Sequence, residues 1–150
     1  MLTPALKVIL TRPAAALLTG TPLGNMTGNG GLASGFDGVT IQAAAAGPGL
    51  ASAADGTCGL DFGTAKTVSS GFAYGSSNFD FAAANTTQVH LEYSDDNAAW
   101  STAASSANKV WANSEAWNPT GVASGSHQYW RYRIVSAGDK RSAEFQFIGL

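Results

Sequence analysis

Apolar and polar residues alternate in short runs along most of this chain. In "QVHLEYS", Val89, Leu91 and Tyr93 fall on one face and His90 and Glu92 on the other. That period of two is the signature of a half-buried strand. In "YWRYRI", Trp130, Tyr132 and Ile134 oppose Arg131 and Arg133, and in "EFQF", Phe145 and Phe147 oppose Glu144 and Gln146. Further strands are expected in "GLDFG", "KTVSSGFAYG", "NFDFA" and "KVWAN". Ser94 to Asn97 supply side chains that bond their own backbone, so the chain should reverse there before Trp100 returns to apolar surface. Trp100 and Trp130 are expected in the core. No segment keeps a long period of 3.6, and Gly and Ser punctuate the chain at "TGTPLGNMTGNGG", "YGSSN" and "PTGVASGS". Many short strands with turns between them predict an all-β protein, an antiparallel β-sandwich or jelly roll.

The first residues fit that pattern least. "ALKVILT" reads as a short strand ended by Thr11-Arg12-Pro13. Its apolar run is broken by Pro4, Lys7, Arg12 and Pro13 and lacks a basic start, so no signal peptide is expected, and it is too short to span a bilayer. The division expected is an N-terminal assembly arm over 1–30 and a sandwich domain over 31–150.

Composition narrows the partners. A length of 150 residues suits one domain with a sizeable core. The net charge is -2, from 8 basic and 10 acidic residues, and the basic ones are scattered. A nucleic-acid partner, which needs a basic stripe, is not expected. Only 12% of residues are charged, half the usual share, so Ser, Thr, Asn, Gly and Ala must cover the surface. Such a surface packs readily against other protein. The loops lack the apolar spikes flanked by basic residues that membrane insertion uses. Cys58 is the single cysteine, so no internal disulfide forms; it reads as a small buried hydrophobe.

No motif for nucleophilic, metal-hydrolytic or phosphate chemistry occurs, and Asp95 and Asp96 are neighbours in one turn rather than a pair facing across a cleft. A non-enzymatic protein is expected.

Five segments in order, Asp37-Gly38, Asp61-Phe62-Gly63, Tyr93-Ser94-Asp95 to Trp100, Arg131-Tyr132-Arg133 and Glu144, resemble the discoidin family, also called coagulation factor 5/8 type C domains. These are galactose-binding-like β-sandwiches. The resemblance covers roughly residues 30 to 150. It departs from the family where an Ala-rich stretch follows Asp37 in place of a Trp, and in lacking a terminal disulfide.

The resemblance implies a structural calcium ion near the Asp-Gly turn, with Asp37, Thr40 and Glu144 at the matching positions. Hard oxygen ligands suit that ion. The alternative is a capped turn at Asp37 and an ion pair from Glu144 to Arg131 or Arg133. It also implies ligand binding by the loops at one end of the sandwich. Sugar sites combine an aromatic platform with planar polar groups. Trp111, Asn113, Glu115, Trp117, Asn118 and His127 supply both types in one polar segment. The competing reading makes Trp111 a core residue and Trp117 a loop anchor, with Trp117 the better candidate for exposure.

A glycan-binding sandwich without an export signal suggests a protein made in a cytoplasm and released by lysis. The leading expectation is a virion structural protein of a phage or phage-like particle: a capsid decoration, head-fibre or tail component, with host surface glycans as its ligands. The partners would be other virion subunits or further copies of itself, joined through the N-terminal arm. The alternative is a secreted or surface carbohydrate-binding module, which would be extracellular.

Overall fold

The computed structural model describes residues 14–43, 45–52, 54–76, 81–82, 85–122 and 125–150. The strand expected in "ALKVILT" and most of "NFDFA" lie outside them. The elements are β1 (Ala16–Leu17), β2 (Thr21–Gly24), β3 (Gly28–Asn29), a 3-10 turn (Leu32–Phe36), β4 (Pro48–Leu50), β5 (Gly56–Tyr74) and β6 (Gln88–Ser94). There follow β7 (Ser101–Ser105), β8 (Ala116–Trp117), β9 (Ser126–Val135), β10 (Lys140–Arg141) and β11 (Glu144–Gly149). All named pairings are antiparallel. No helix among the described residues is long and apolar enough to cross a membrane.

The segments "GLDFG" and "KTVSSGFAYG" form a single strand, β5, which serves both layers of the sandwich. Its first part pairs with β2 and β9, and its last part with β11 and β8. Between them the β5–β9 register shifts from Asp61 to Lys66, and Gly63 takes a φ of 69°, a left-handed conformation open to glycine at no steric cost. One layer therefore runs β2-β5-β9-β6-β7 and the other β1-β11-β5-β8.

The alternating residues meet between the layers. Val89, Leu91, Trp130, Tyr132 and Ile134 from one side, and Val68, Ala73, Phe145 and Phe147 from the other, are buried. Tyr132 stacks on Phe145 at 5.2 Å and donates its hydroxyl to the Gln146 carbonyl at 2.9 Å, so one side chain ties the layers by ring and by hydrogen bond. A Cβ at Gly71 would lie 2.2 Å from that hydroxyl, which is why no side chain stands there. The 3-10 turn closes the open edge, with Phe36 against Phe145 and Phe147.

Three sequence expectations differ from this arrangement. Residues 16–29 are built into the sheets: β1 pairs with β11 and β2 with β5, β3 pairs with β4 in a separate three-stranded sheet, β10-β4-β3, and Met26 is fully buried in the core. A boundary at residue 30 cuts through the sandwich. "KVWAN" is no strand; Lys109 makes only an isolated bridge to Thr87, and the following residues form a loop. Trp100 lies outside the core cluster, on the outer surface, against Arg131. Trp130 is fully buried, as expected.

Candidate functional site

The loop from Lys109 to Asn118 gathers five of the six expected ligand residues at one end of the sandwich. Trp111 is 6% exposed, packs edge-on against Phe81 and donates Nε1 to the Thr87 carbonyl at 3.0 Å. It is the anchor of the loop, not a platform. Lys109 lies with Nζ 4.4 Å from the Trp111 ring centroid and pairs with Glu115. Glu115 also accepts the Ala112 N–H at 2.9 Å. That backbone bond, helped by Lys109, holds its carboxyl below the usual range. Gly75 N–H donates to the Glu115 carbonyl and Ser114 N–H to the Ser76 carbonyl, so the loop is tied to the end of β5.

Beyond this clamp, Asn113 and Asn118 are exposed and Trp117 is half-buried. The Trp117 ring stands edge-on to Tyr132 at 6.1 Å, so one part rests on the core while the rest faces outward. The free-standing indole expected from the sequence is thus a partly seated one.

His127 is not in this group. On β5, Lys66 is opposite His127 and Ala73 is opposite Trp117. The strand between them spans about 23 Å at roughly 3.3 Å per residue. His127 belongs to the other end, stacked on Tyr93 at 3.9 Å between ring centroids, with Nδ1 3.0 Å from both carboxylate oxygens of Asp95.

The expected calcium residues divide similarly. Glu144 is 2% exposed; its carboxylate is held by the Gly38 N–H, which Oε1 accepts at 3.2 Å, and by the Asp37 N–H and the Gln146 side chain, while its Oε2 is buried without a hydrogen bond of its own. Burial, with a smaller contribution from the Asp37 charge, pushes the Glu144 carboxyl up to about 7. An orphaned buried carboxylate oxygen near a second carboxylate is a donor set that a hard cation would satisfy. Asp37 caps its own turn by accepting the Val39 N–H at 2.9 Å. Thr40 is half-buried, and the backbone N–H groups that Asp37 and Glu144 accept are those of Val39 and Gly38, not its own. Among the described residues no group of three or more His, Cys, Asp and Glu could hold a metal, so the fit rests on two carboxylates supplemented by carbonyls. The alternative ion pair is absent: Arg131 and Arg133 both donate Nε to Glu92, at 2.7 and 2.6 Å.

Cys58 is fully buried and burial raises its thiol far above the ordinary value, which removes it from nucleophilic chemistry.

The sequence reading missed Phe72 and Tyr74. The β11–β5 register runs Ile148 to Ser70 and then Gly149 to Val68, leaving Ser69 as an extra residue. A bulge of one residue flips every later side chain to the opposite face. Val68 points into the core, while Phe72 and Tyr74 point away from it, half-buried and stacked on each other at 5.5 Å. The available signal was the alternation in "GFAYG" beside the small residues Ser69 and Ser70.

No family model matches the chain, and no curated protein matches it by sequence. Solved structures do. It is similar to CBM62 from Clostridium thermocellum Xyl5A, with 18% identity over 89% of this chain and 96% of that one and a TM-score of 0.63. It is similar to the fucose binding module SpX-3 of Streptococcus pneumoniae, with 11% identity over 87% and 93% and a TM-score of 0.63. A third is CBM32-1 from a family 31 glycoside hydrolase of Clostridium perfringens, with 15% identity over 84% and 92% and a TM-score of 0.60. The chain has the discoidin-like, galactose-binding-like β-sandwich fold.

Proposed function

We propose that this protein is a non-catalytic carbohydrate-recognition domain that binds glycans at the loop end formed by Lys109 to Asn118. One observation carries the reading: Lys109, the Ala112 N–H and the buried Trp111 fix the loop, and beyond that support it carries an exposed carboxamide, Asn113, and a half-exposed indole, Trp117. An indole face takes the C–H surface of a sugar ring, and planar amides exchange paired hydrogen bonds with its hydroxyls. A site pre-organised in this way spends little entropy on binding. One of the similar structures is a fucose binding module and another comes from a family 31 glycoside hydrolase, which supports the same class.

The setting is the finer part of the proposal. Modules of secreted or surface proteins are favoured by those likenesses. The particle setting, a capsid decoration, head fibre or tail component meeting host glycans, is supported only by the 12% charge content, which suits a subunit packed among others. In either setting, a structural calcium ion held by Asp37 and Glu144 would neutralise the two carboxylates and brace the turn against β11.

A glycan array tests the class. Binding to a defined subset of glycans, lost in Trp117→Ala and weakened in Asn113→Ala, is the expected result. An array without a single ligand for the folded wild-type protein would overturn it.

A further inference from the structure

The second aromatic feature lies round the edge of β8, on the outer face of the β1-β11-β5-β8 layer. Directly opposed residues in an antiparallel pair share a face. On β11, Gln146 is opposite Phe72 and Glu144 is opposite Tyr74. On β8, Ala116 is opposite Tyr74, and the bridge from Ser70 to Thr120 keeps the same register, which places Asn118 beside Phe72. The Phe72 ring therefore stands in a row between two carboxamides, those of Gln146 and Asn118. Tyr74 stands next to it with its rings nearly parallel, at an interplanar angle of 23°. Neither ring belongs to the core cluster or packs against it.

Nothing about the stability of the layer requires this. A β5 without the bulge at Ser69 would turn both rings inward, so the outward aromatic pair is a consequence of one inserted residue. Bulges that re-aim side chains concentrate at binding sites. The chemistry beside the rings argues against a dry protein interface, whose centre would be ringed by apolar side chains. Here the flanking exposed positions are amides, with a hydroxyl on Tyr74, while the Glu144 carboxyl opposite Tyr74 is covered by the Gly38 turn.

We propose that this outer face is a second carbohydrate-binding surface, separate from the Trp117 loop, which takes internal units of a neutral glycan chain lying across β11, β5 and β8. Tyr74 and Phe72 contact the C–H face of a ring, and Gln146 and Asn118 bond hydroxyls on either side. A ligand crossing the three strands keeps both of its ends free, so the ligand class is an oligosaccharide rather than a terminal monosaccharide. The assignment rests on the ring and amide geometry of the sheet and does not require the loop site to exist.

Aromatic-proton NMR of the full chain, titrated with neutral tetra- to hexasaccharides of glucose, galactose, mannose and xylose, tests it in wild type and in Trp117→Ala. The expected result is a shift of the Phe72 and Tyr74 ring signals by at least one series in both proteins. Tyr74→Ala and Gln146→Leu should weaken that binding on the order of tenfold, with the fold retained by circular dichroism. Ring signals that no oligosaccharide moves in either protein would overturn the proposal. So would a self-association that vanishes in Tyr74→Ala, since the face would then belong to a second copy. Loss of all array binding in Trp117→Ala with unmoved ring signals would leave the loop reading standing and remove this one.

Discussion

The Arg131 guanidinium carbon lies 3.9 Å above the Trp100 ring centroid, and its Nε donates to Glu92 at 2.7 Å. Arg133 donates to the other oxygen of the same carboxylate and, through Nη1, to Asp55 at 2.9 Å. The turn between β6 and β7 thus delivers its tryptophan not to the core but to an arginine on the outer face. Asp96 shapes that turn by accepting the Ala98 and Ala99 N–H groups, each at 2.9 Å, while Asn97 takes a φ of 57°. Trp100→Ala should lower stability by about 1 kcal/mol, the scale of a partly exposed cation–π contact. Thermal unfolding checks this; a loss typical of a core tryptophan would contradict the surface placement.

Glu92 is 3% exposed and serves two arginines. Removing it leaves two guanidinium groups without their shared partner in a poorly solvated position. Glu92→Ala should cost about 3–5 kcal/mol, the scale for breaking a buried pair from one side. Denaturant unfolding measures it, and a change below about 1 kcal/mol, typical of an exposed pair, would show the network to be solvated.

The Glu144 carboxyl titrates near 7 in the fold against 4.5 when free. Its pKa is raised, so the folded state holds the proton more tightly than the unfolded chain. Its stabilising contribution is complete below about pH 4.5 and is lost as pH rises to about 7. With chelator present, this group should make stability fall across that window by roughly 3 kcal/mol, at about 1.4 kcal/mol per unit. Glu144→Gln should flatten the slope, and added calcium should raise the wild-type melting temperature at pH 7 but not that of the variant. Equal calcium response in both proteins would remove the proposed ion site.

Deleting residues 1–13 should leave a folded protein, because every described strand remains. Deleting 1–30 should not, because it removes β1, β2 and β3 together with Met26, whose loss alone is worth about 2–5 kcal/mol. Circular dichroism of the two truncations distinguishes them. A folded 31–150 fragment would restore the arm boundary expected from the sequence.

Much of the sandwich was legible because its strands alternate: Val89, Leu91, Trp130, Tyr132, Ile134, Phe145 and Phe147 all face inward as their spacing requires. Alternation fails wherever register slips. The Ser69 bulge reverses Phe72 and Tyr74, and the small residues Ser69 and Ser70 permit a bulge without specifying one. Trp100 was misplaced because a turn's geometry, not its composition, decides on which face the chain returns. The site was legible as a composition, an aromatic among amides. Which of those residues meet depends on pairings far apart in sequence, and these set His127 beside Asp95 rather than Trp117. Glu144 was matched through family resemblance, but its orphaned oxygen appears only in three dimensions.

Calorimetric titration of the strongest array ligand into wild type, Asn113→Ala, Trp117→Ala and His127→Ala tests the central claim most directly. The account predicts that Trp117→Ala abolishes binding while remaining folded, that Asn113→Ala weakens it by about tenfold, and that His127→Ala, at the far end of the sandwich, binds as wild type does. Wild-type affinity in Trp117→Ala, or loss of affinity only in His127→Ala, would contradict it.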